Sequence, residues 1–140
     1  MKFSTKGRYA MCLMLDLAQQ PSDRYVSLRD AACRQHISVK YAEQIINLLV
    51  RAGLVESTRG VQGGYRLTRP AENCTCGDVL RAAEGGFAPI PCLEEAPHGC
   101  ERWEECVVLP FWLGLQQAVE RYADGISLQD VLQMKCSPGA

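Results

Sequence analysis

The chain has 140 residues, 47% apolar, 22% charged and 7% aromatic, a composition that supports one buried core and excludes disordered, collagen-like and low-complexity classes. Its formal net charge of -1 conceals a division: residues 1–70 carry eleven Lys and Arg against five Asp and Glu, whereas residues 71–140 carry four against eleven. A cationic half suits a polyanion such as DNA and an anionic half is repelled by it, so the charge also orients the molecule on such a partner. The apolar stretch from Ala10 to Leu15 is cut by Asp16, which is too short for a membrane span and poor as a signal-peptide core; a cytoplasmic protein with no membrane partner is expected. Eight cysteines then point to metal or redox chemistry rather than to a disulfide framework.

Ser4 or Thr5 caps a first helix in which Ala10, Leu13, Met14, Leu17 and Ala18 recur at helical spacing, with Cys12 expected in its core, and Gln19-Gln20-Pro21 ends it. A turn occupies 21–26. Ser27-Leu28-Arg29-Asp30 reads as a capping box opening a short helix to about Gln35, with Cys33 among its alanines. His36-Ile37 is a tight break, and Ser38 caps a third helix to about Ala52, closed by Gly53. Two helices separated by so short a break describe a helix-turn-helix. The third helix buries Ala42, Ile45, Ile46 and Leu49, while Lys40, Gln44, Asn47 and Arg51 share a polar face. Lys and Arg reach guanine or phosphate oxygens and Gln or Asn pairs with adenine edges, the donor set of a helix lying in the major groove; a merely solvated face is the alternative.

From Val55 to Leu67, β-prone ends flank a glycine-rich centre, which predicts a hairpin. Directly after a helix-turn-helix that hairpin is a wing, with Arg59 at its tip entering the minor groove and Arg66 near the DNA backbone. Gly60, Gly63 and Gly64 permit close approach to phosphates and positive φ angles. A nucleotide-cradling loop is set aside because no Lys-Ser/Thr follows the glycines and no parallel-sheet pattern surrounds them.

Three stretches, Met1 to Ala10, Ser38 to Gln44 and Arg59 to Tyr65, closely resemble the bacterial winged helix-turn-helix regulators of the IscR/NsrR/CymR family, and the resemblance covers nearly the whole chain. It implies a mainly α fold with a small β-hairpin wing and a long dimerisation helix, and a homodimeric transcription factor, expected to be a repressor rather than an enzyme. Lys40, Tyr41, Glu43, Gln44 and Arg59 match positions the family uses at DNA; Ser38, Asn47, Arg51, Gly60, Gly63, Gly64 and Tyr65 complete the expected DNA-binding set. Lys40 stands where IscR carries a small hydroxyl residue.

In the second half, a fourth short helix is expected from Cys74 to about Ala83, ended by Gly85-Gly86, with Cys74 and Cys76 used for packing rather than as a paired thiol. A long loop from Phe87 to about Glu105 leads to Cys106 and holds Cys92, His98 and Cys100. Soft thiolates clustered on such a segment favour an iron-sulfur cluster or zinc over hard cations, and spacing alone does not choose between them. The family resemblance implies that Cys92, Cys100 and Cys106 are the ligands of a 2Fe-2S or 4Fe-4S cluster, as in its iron-sulfur branch; CymR-type members lack these cysteines. Leu109 occupies the position of IscR's ligating histidine and Arg8 that of the acidic ligand of NsrR, which leaves His98, solvent or a small molecule for the fourth position. Zinc on the same residues, or a regulator without metal controlled by thiol oxidation or a partner protein, are the alternatives; a small metal-binding redox protein is a further one, which leaves the basic half and the wing unexplained.

Pro110 suits a first helical turn, and Phe111, Trp112, Leu115, Val119 and Tyr122 follow at helical spacing. This stripe exceeds what one winged head covers, so it is expected to pack against the same helix of a second subunit. A two-fold dimer sets its recognition helices one DNA turn apart and calls for a palindromic operator. Ser127-Leu128-Gln129-Asp130 caps a last short helix, and Cys136 lies in a loose Pro-Gly tail. The expected organisation is a DNA-binding domain over 1–85, a sensor loop over 86–106, dimerisation and C-terminal helices over 107–134 and a tail over 135–140. No acid and base flank a nucleophile, so catalysis is not expected.

Overall fold

A computed structural model describes residues 2–94 and 101–134. Ser4 accepts the Lys6 N–H at 3.2 Å and opens α1 (Thr5–Ala18). Gly7, Ala10, Leu13, Met14 and Leu17 are buried along one stripe of α1, and that stripe is the centre of the core. Fully burying a side chain such as Leu13 or Met14 contributes about 1.5–3 kcal/mol. Ser27 caps α2 (Leu28–Arg34) by accepting the Asp30 N–H, without the reciprocal Asp30 bond that the expected capping box would add, and Ser38 caps α3 (Val39–Arg51) as read from the sequence. Between them His36 adopts φ 57°, and this left-handed residue lets the Ile37 N–H reach back to the Ala32 carbonyl at 2.9 Å. Ala31 and Ala32 are buried and small, so α2 closes tightly on α3.

An ion pair with a buried carboxylate fixes α2 to α1. Asp16 is 2% exposed; Arg34 donates to both its carboxylate oxygens at 2.9 and 2.8 Å, and Gln35 donates at 3.1 Å. A carboxylate at that depth is tolerated because its lone pairs are so fully used.

The hairpin comprises β1 (Val55–Thr58) and β2 (Gly64–Leu67), antiparallel, with Val55 opposite Leu67 and Thr58 opposite Gly64. Its inner strand is also paired on the other edge: Val26 donates to the Tyr65 carbonyl at 2.7 Å and accepts the Tyr65 N–H at 2.8 Å. The segment expected to be a plain turn therefore anchors the wing through Val26.

After a 3₁₀ turn at Ala71–Asn73, α4 (Cys76–Glu84) begins two residues later than the sequence suggests, because Thr75 and Asp78 form a reciprocal capping box and Gly85, at φ 86°, ends the helix. Cys74 and Cys76 are buried, as the packing reading expects, and burial pushes both thiols up. Cys12 is half-buried and Cys33 exposed, so Cys12 lies at the rim of the core rather than inside it. The long loop is not structureless: it holds α5 (Pro91–Glu94) and a 3₁₀ turn at Trp103–Glu105.

α6 (Leu109–Asp124) carries Pro110 in its first turn. Ser127 and Asp130 form the expected capping box of α7 (Leu128–Gln133), which returns to the core: Leu128 is fully buried and its N–H donates to the Cys74 carbonyl at 2.9 Å. Arg81 of α4 grips Asp124 of α6 with two bonds of 2.7 and 2.8 Å. Gly77 allows this approach, since a Cβ there would collide with the Asp124 carboxylate. No helix among the described residues is long and apolar enough to cross a membrane. The assembled architecture is a mainly α winged helix-turn-helix with a long helix appended. The expectations for His98, Cys100 and Cys136, and for the tail over 135–140, lie outside the described residues.

Candidate nucleic-acid interface and cysteine loop

Burying Ala42, Ile45, Ile46 and Leu49 turns the opposite side of α3 to solvent. Lys40, Glu43, Gln44, Asn47 and Arg51 are all exposed there. Among the described residues none of the five makes a side-chain hydrogen bond or ion pair, so the row of donors and acceptors is available to a partner. Ser38 and Tyr41 differ. The Ser38 hydroxyl accepts the Tyr41 N–H at 3.2 Å, and Tyr41 is half-buried, its ring edge-to-face with Tyr9 at 5.6 Å and its hydroxyl 3.1 Å from that of Thr5. Both residues first of all position the start of the helix.

The wing divides in the same way. Arg59 is exposed beside Gly60, which takes φ 110°, and it has no side-chain partner among the described residues. Arg66, expected near the DNA backbone, is paired within the hairpin: its Nε donates to Glu56 at 2.6 Å and its guanidinium lies 4.3 Å from the Tyr25 ring centroid. Gly63 and Gly64, expected to admit phosphates, have internal reasons to be glycine. A Cβ on Gly63 would meet the Thr58 carbonyl oxygen at 2.6 Å, and one on Gly64 would collide with the Val26 carbonyl. Tyr65 is half-buried against the core and carries the pairing with Val26.

Cys92 lies in α5 and Cys106 closes the 3₁₀ turn just before α6; both are half-buried. Leu93, beside Cys92, is 6% exposed. Among the described residues no group of three His, Cys, Asp or Glu side chains is gathered as a metal site. Leu109 is the first residue of α6, and Arg8 sits exposed on α1.

Along α6 only Ala123 is buried. Phe111 is 65% exposed, Leu115 36% and Tyr122 69%, while Trp112 and Val119 are half-buried. Val107 and Val108 extend the apolar surface at 91% and 57% exposure. Monomeric proteins seldom leave such a face uncovered.

Sequence reasoning missed two kinds of residue. Val26 pairs with a strand 39 positions later, and Glu84 reaches back to the start of α1; neither carries a local pattern. The Asp16–Arg34 pair left one weak trace, an acidic residue within an apolar helical stretch.

Residues 3–134 match the family model of Rrf2, described as an iron-dependent transcriptional regulator. The HTH-type transcriptional regulator IscR of Cereibacter sphaeroides is 50% identical over 99% of this chain and 91% of its own length. Among solved structures, CymR, the global cysteine regulator of Bacillus subtilis, superposes with a TM-score of 0.76 at 32% identity, covering 97% of this chain and 99% of that one. The IscR of T. potens gives 0.73 at 35% identity over 98% and 94%. These matches run through the helix-turn-helix, the wing and the appended helix together, and the chain belongs to the Rrf2 family of transcriptional regulators.

Proposed function

We propose that this regulator acts as a homodimer that binds a palindromic operator through α3 and the wing, and that a thiolate-bound cluster in its cysteine loop sets its affinity for that operator. The observation that carries the DNA-binding reading is the unpartnered polar row on α3 beside an unpartnered Arg59, both on the cationic half of the chain. In the major groove Gln44 and Asn47 read adenine edges, Glu43 accepts from cytosine amino groups, and Lys40 and Arg51 reach phosphate or guanine. Arg59 enters the minor groove from the wing tip. Ser38, Tyr41, Gly63, Gly64 and Tyr65 support these contacts by fixing the helix start and the hairpin.

Dimerisation follows from α6. Phe111, Trp112, Leu115, Val119 and Tyr122 leave an apolar face that a second copy of the same helix covers with two-fold symmetry. The two winged heads then address half-sites one helical turn apart.

The donor chemistry of the loop fits an iron-sulfur cluster: three thiols, two of them half-buried, with a buried leucine beside the first. Cys92, Cys100 and Cys106 would hold it, with His98 or an exogenous ligand as the fourth, and when bound it supplies one-electron redox chemistry and sensitivity to oxidants. The chain's own contribution is to place those thiols on the segment that joins α4 of the winged head to α6, so that any change in the loop bears on the angle between the heads. Anaerobic purification followed by iron and acid-labile sulfide counts tests this: the wild-type chain retains both, and Cys92→Ser and Cys106→Ser lose them. Iron-free wild-type protein that still binds DNA would replace this reading with thiol- or partner-controlled repression, which the likeness to the cysteine regulator CymR favours.

A further inference from the structure

We propose that Glu84 is a positioning residue for DNA binding, which ties the first turn of α1, and through it the recognition helix, to the cysteine loop. One carboxylate oxygen of Glu84 accepts three hydrogen bonds, from the Ser4 N–H at 2.8 Å, the Ser4 hydroxyl at 2.7 Å and the Gly7 N–H at 3.0 Å. These donors belong to the open end of α1, where free N–H groups and the helix dipole favour a negative charge. Gly7 is buried and shaped for this contact, since a Cβ there would meet the same carboxylate oxygen.

The two neighbours of this turn give the contact its consequence. Toward DNA, Thr5 lies 3.1 Å from the Tyr41 hydroxyl, and Tyr41 stands in the first turn of α3. Toward the loop, Glu84 is the last residue of α4 and is followed by Gly85 and Gly86, both at positive φ, and then by Phe87, which is 3% exposed and packs edge-to-face on Phe3 at 6.1 Å. Cys92 follows five residues after Phe87. A cavity of about 670 Å³ unites these parts, lined by Phe3, Glu84 and Phe87 together with Leu93 of α5 and Gln116 and Glu120 of α6. The short Gly85-Gly86 link thus joins the Glu84 contact with Ser4 and Gly7 to the Phe87 contact with Phe3, so a displacement of the loop is carried to the residues on either side of Thr5. Coupling of this kind requires that the contact have different free energies in the two states of the loop.

The inference rests on the DNA-binding reading, and the experiment separates the two. The probe is a fluorescent duplex enriched from a random pool by the wild-type protein, titrated against metal-free protein and against protein reconstituted anaerobically with iron and sulfide. Glu84→Ala weakens binding of the metal-free protein about tenfold, while Glu84→Gln, which keeps an oxygen acceptor in place, stays within about threefold. Thr5→Val combined with Glu84→Ala is less than additive, because both act through one turn, whereas Arg59→Ala combined with Glu84→Ala is additive. Hydrogen exchange over residues 4–8 changes on reconstitution in the wild type and not in Glu84→Ala. If Glu84→Ala binds the duplex as the wild type does, or if residues 4–8 exchange alike before and after reconstitution, the inference fails while DNA binding stands. If the wild type enriches no duplex, the DNA-binding reading itself fails.

Discussion

Gly64→Ala tests whether the paired glycines of the wing serve its anchoring rather than contact with phosphate. A methyl group at this position collides with the Val26 carbonyl, and the Val26 peptide is close on both its carbon and the following nitrogen. Relief requires β2 to move away from Val26, which breaks the two hydrogen bonds between Val26 and Tyr65, now 2.7 and 2.8 Å long. Each contributes about 0.5–1.5 kcal/mol net, so the loss is about 2 kcal/mol; at the φ of 159° that Gly64 adopts, strain in the alanine backbone offsets the entropy gained from a stiffer unfolded chain. The net destabilisation of about 2 kcal/mol corresponds to a fall in Tm of roughly 7 °C for a chain of this length. The freed wing also carries Arg59 out of register, so DNA affinity drops about tenfold or more under conditions where the variant remains folded. Circular dichroism melting and fluorescence anisotropy on the same preparations measure both. A variant with wild-type Tm and wild-type affinity would refute the reasoning, and a variant with unchanged Tm but weak binding would return Gly64 to the role of a phosphate-facing glycine.

Three further outcomes are expected. Arg59→Ala costs about 1–3 kcal/mol of binding free energy per head and flattens the dependence of log K on log salt, measured by anisotropy across a salt series; an unchanged slope and affinity would remove Arg59 from the interface. Leu115→Glu on the apolar face of α6 converts dimers to monomers in sedimentation velocity and reduces operator affinity steeply, since a single head engages only a half-site; a charged variant that still sediments as a dimer would show that another surface joins the subunits. The Arg81 guanidinium holds the Asp124 carboxyl below the ordinary carboxylate range, so this pair contributes stability above the pKa of the unfolded carboxyl and loses it as pH falls through the lowered folded value. Both groups are more than a third exposed, which limits the contribution to below about 1 kcal/mol. Urea denaturation of Asp124→Asn against wild type at neutral pH and at pH about 3 reads the difference, which narrows at the acidic end; a difference independent of pH would contradict the assignment.

Local chemistry made much of this fold readable. Ser4, Ser27, Ser38 and Ser127 each stand where a helix opens and each accepts the expected backbone N–H, because a cap depends on residues only two or three positions away. The polar face of α3 was legible for the same reason, as helical spacing alone puts Lys40, Gln44, Asn47 and Arg51 together. The partners of Arg66 were not legible, because Glu56 and Tyr25 are brought to it by the hairpin and the preceding turn. Glu84 was invisible for a stronger form of that reason, since its donors lie 77 and 80 positions away. The proposed ligand role of Cys92 and Cys106 rests on donor chemistry and family resemblance together, because thiol spacing in a long loop is compatible with more than one metal.

The most direct test of the central claim is a DNA titration of the purified protein over a range of salt concentrations, in the metal-free and the reconstituted states. Insertion of two cationic heads predicts tight binding at low ionic strength that falls steeply as salt rises, by about 0.9 logarithmic units of K per tenfold salt for each phosphate neutralised, with a different affinity in the two states. Failure to bind duplex DNA at low salt in either state would contradict the account.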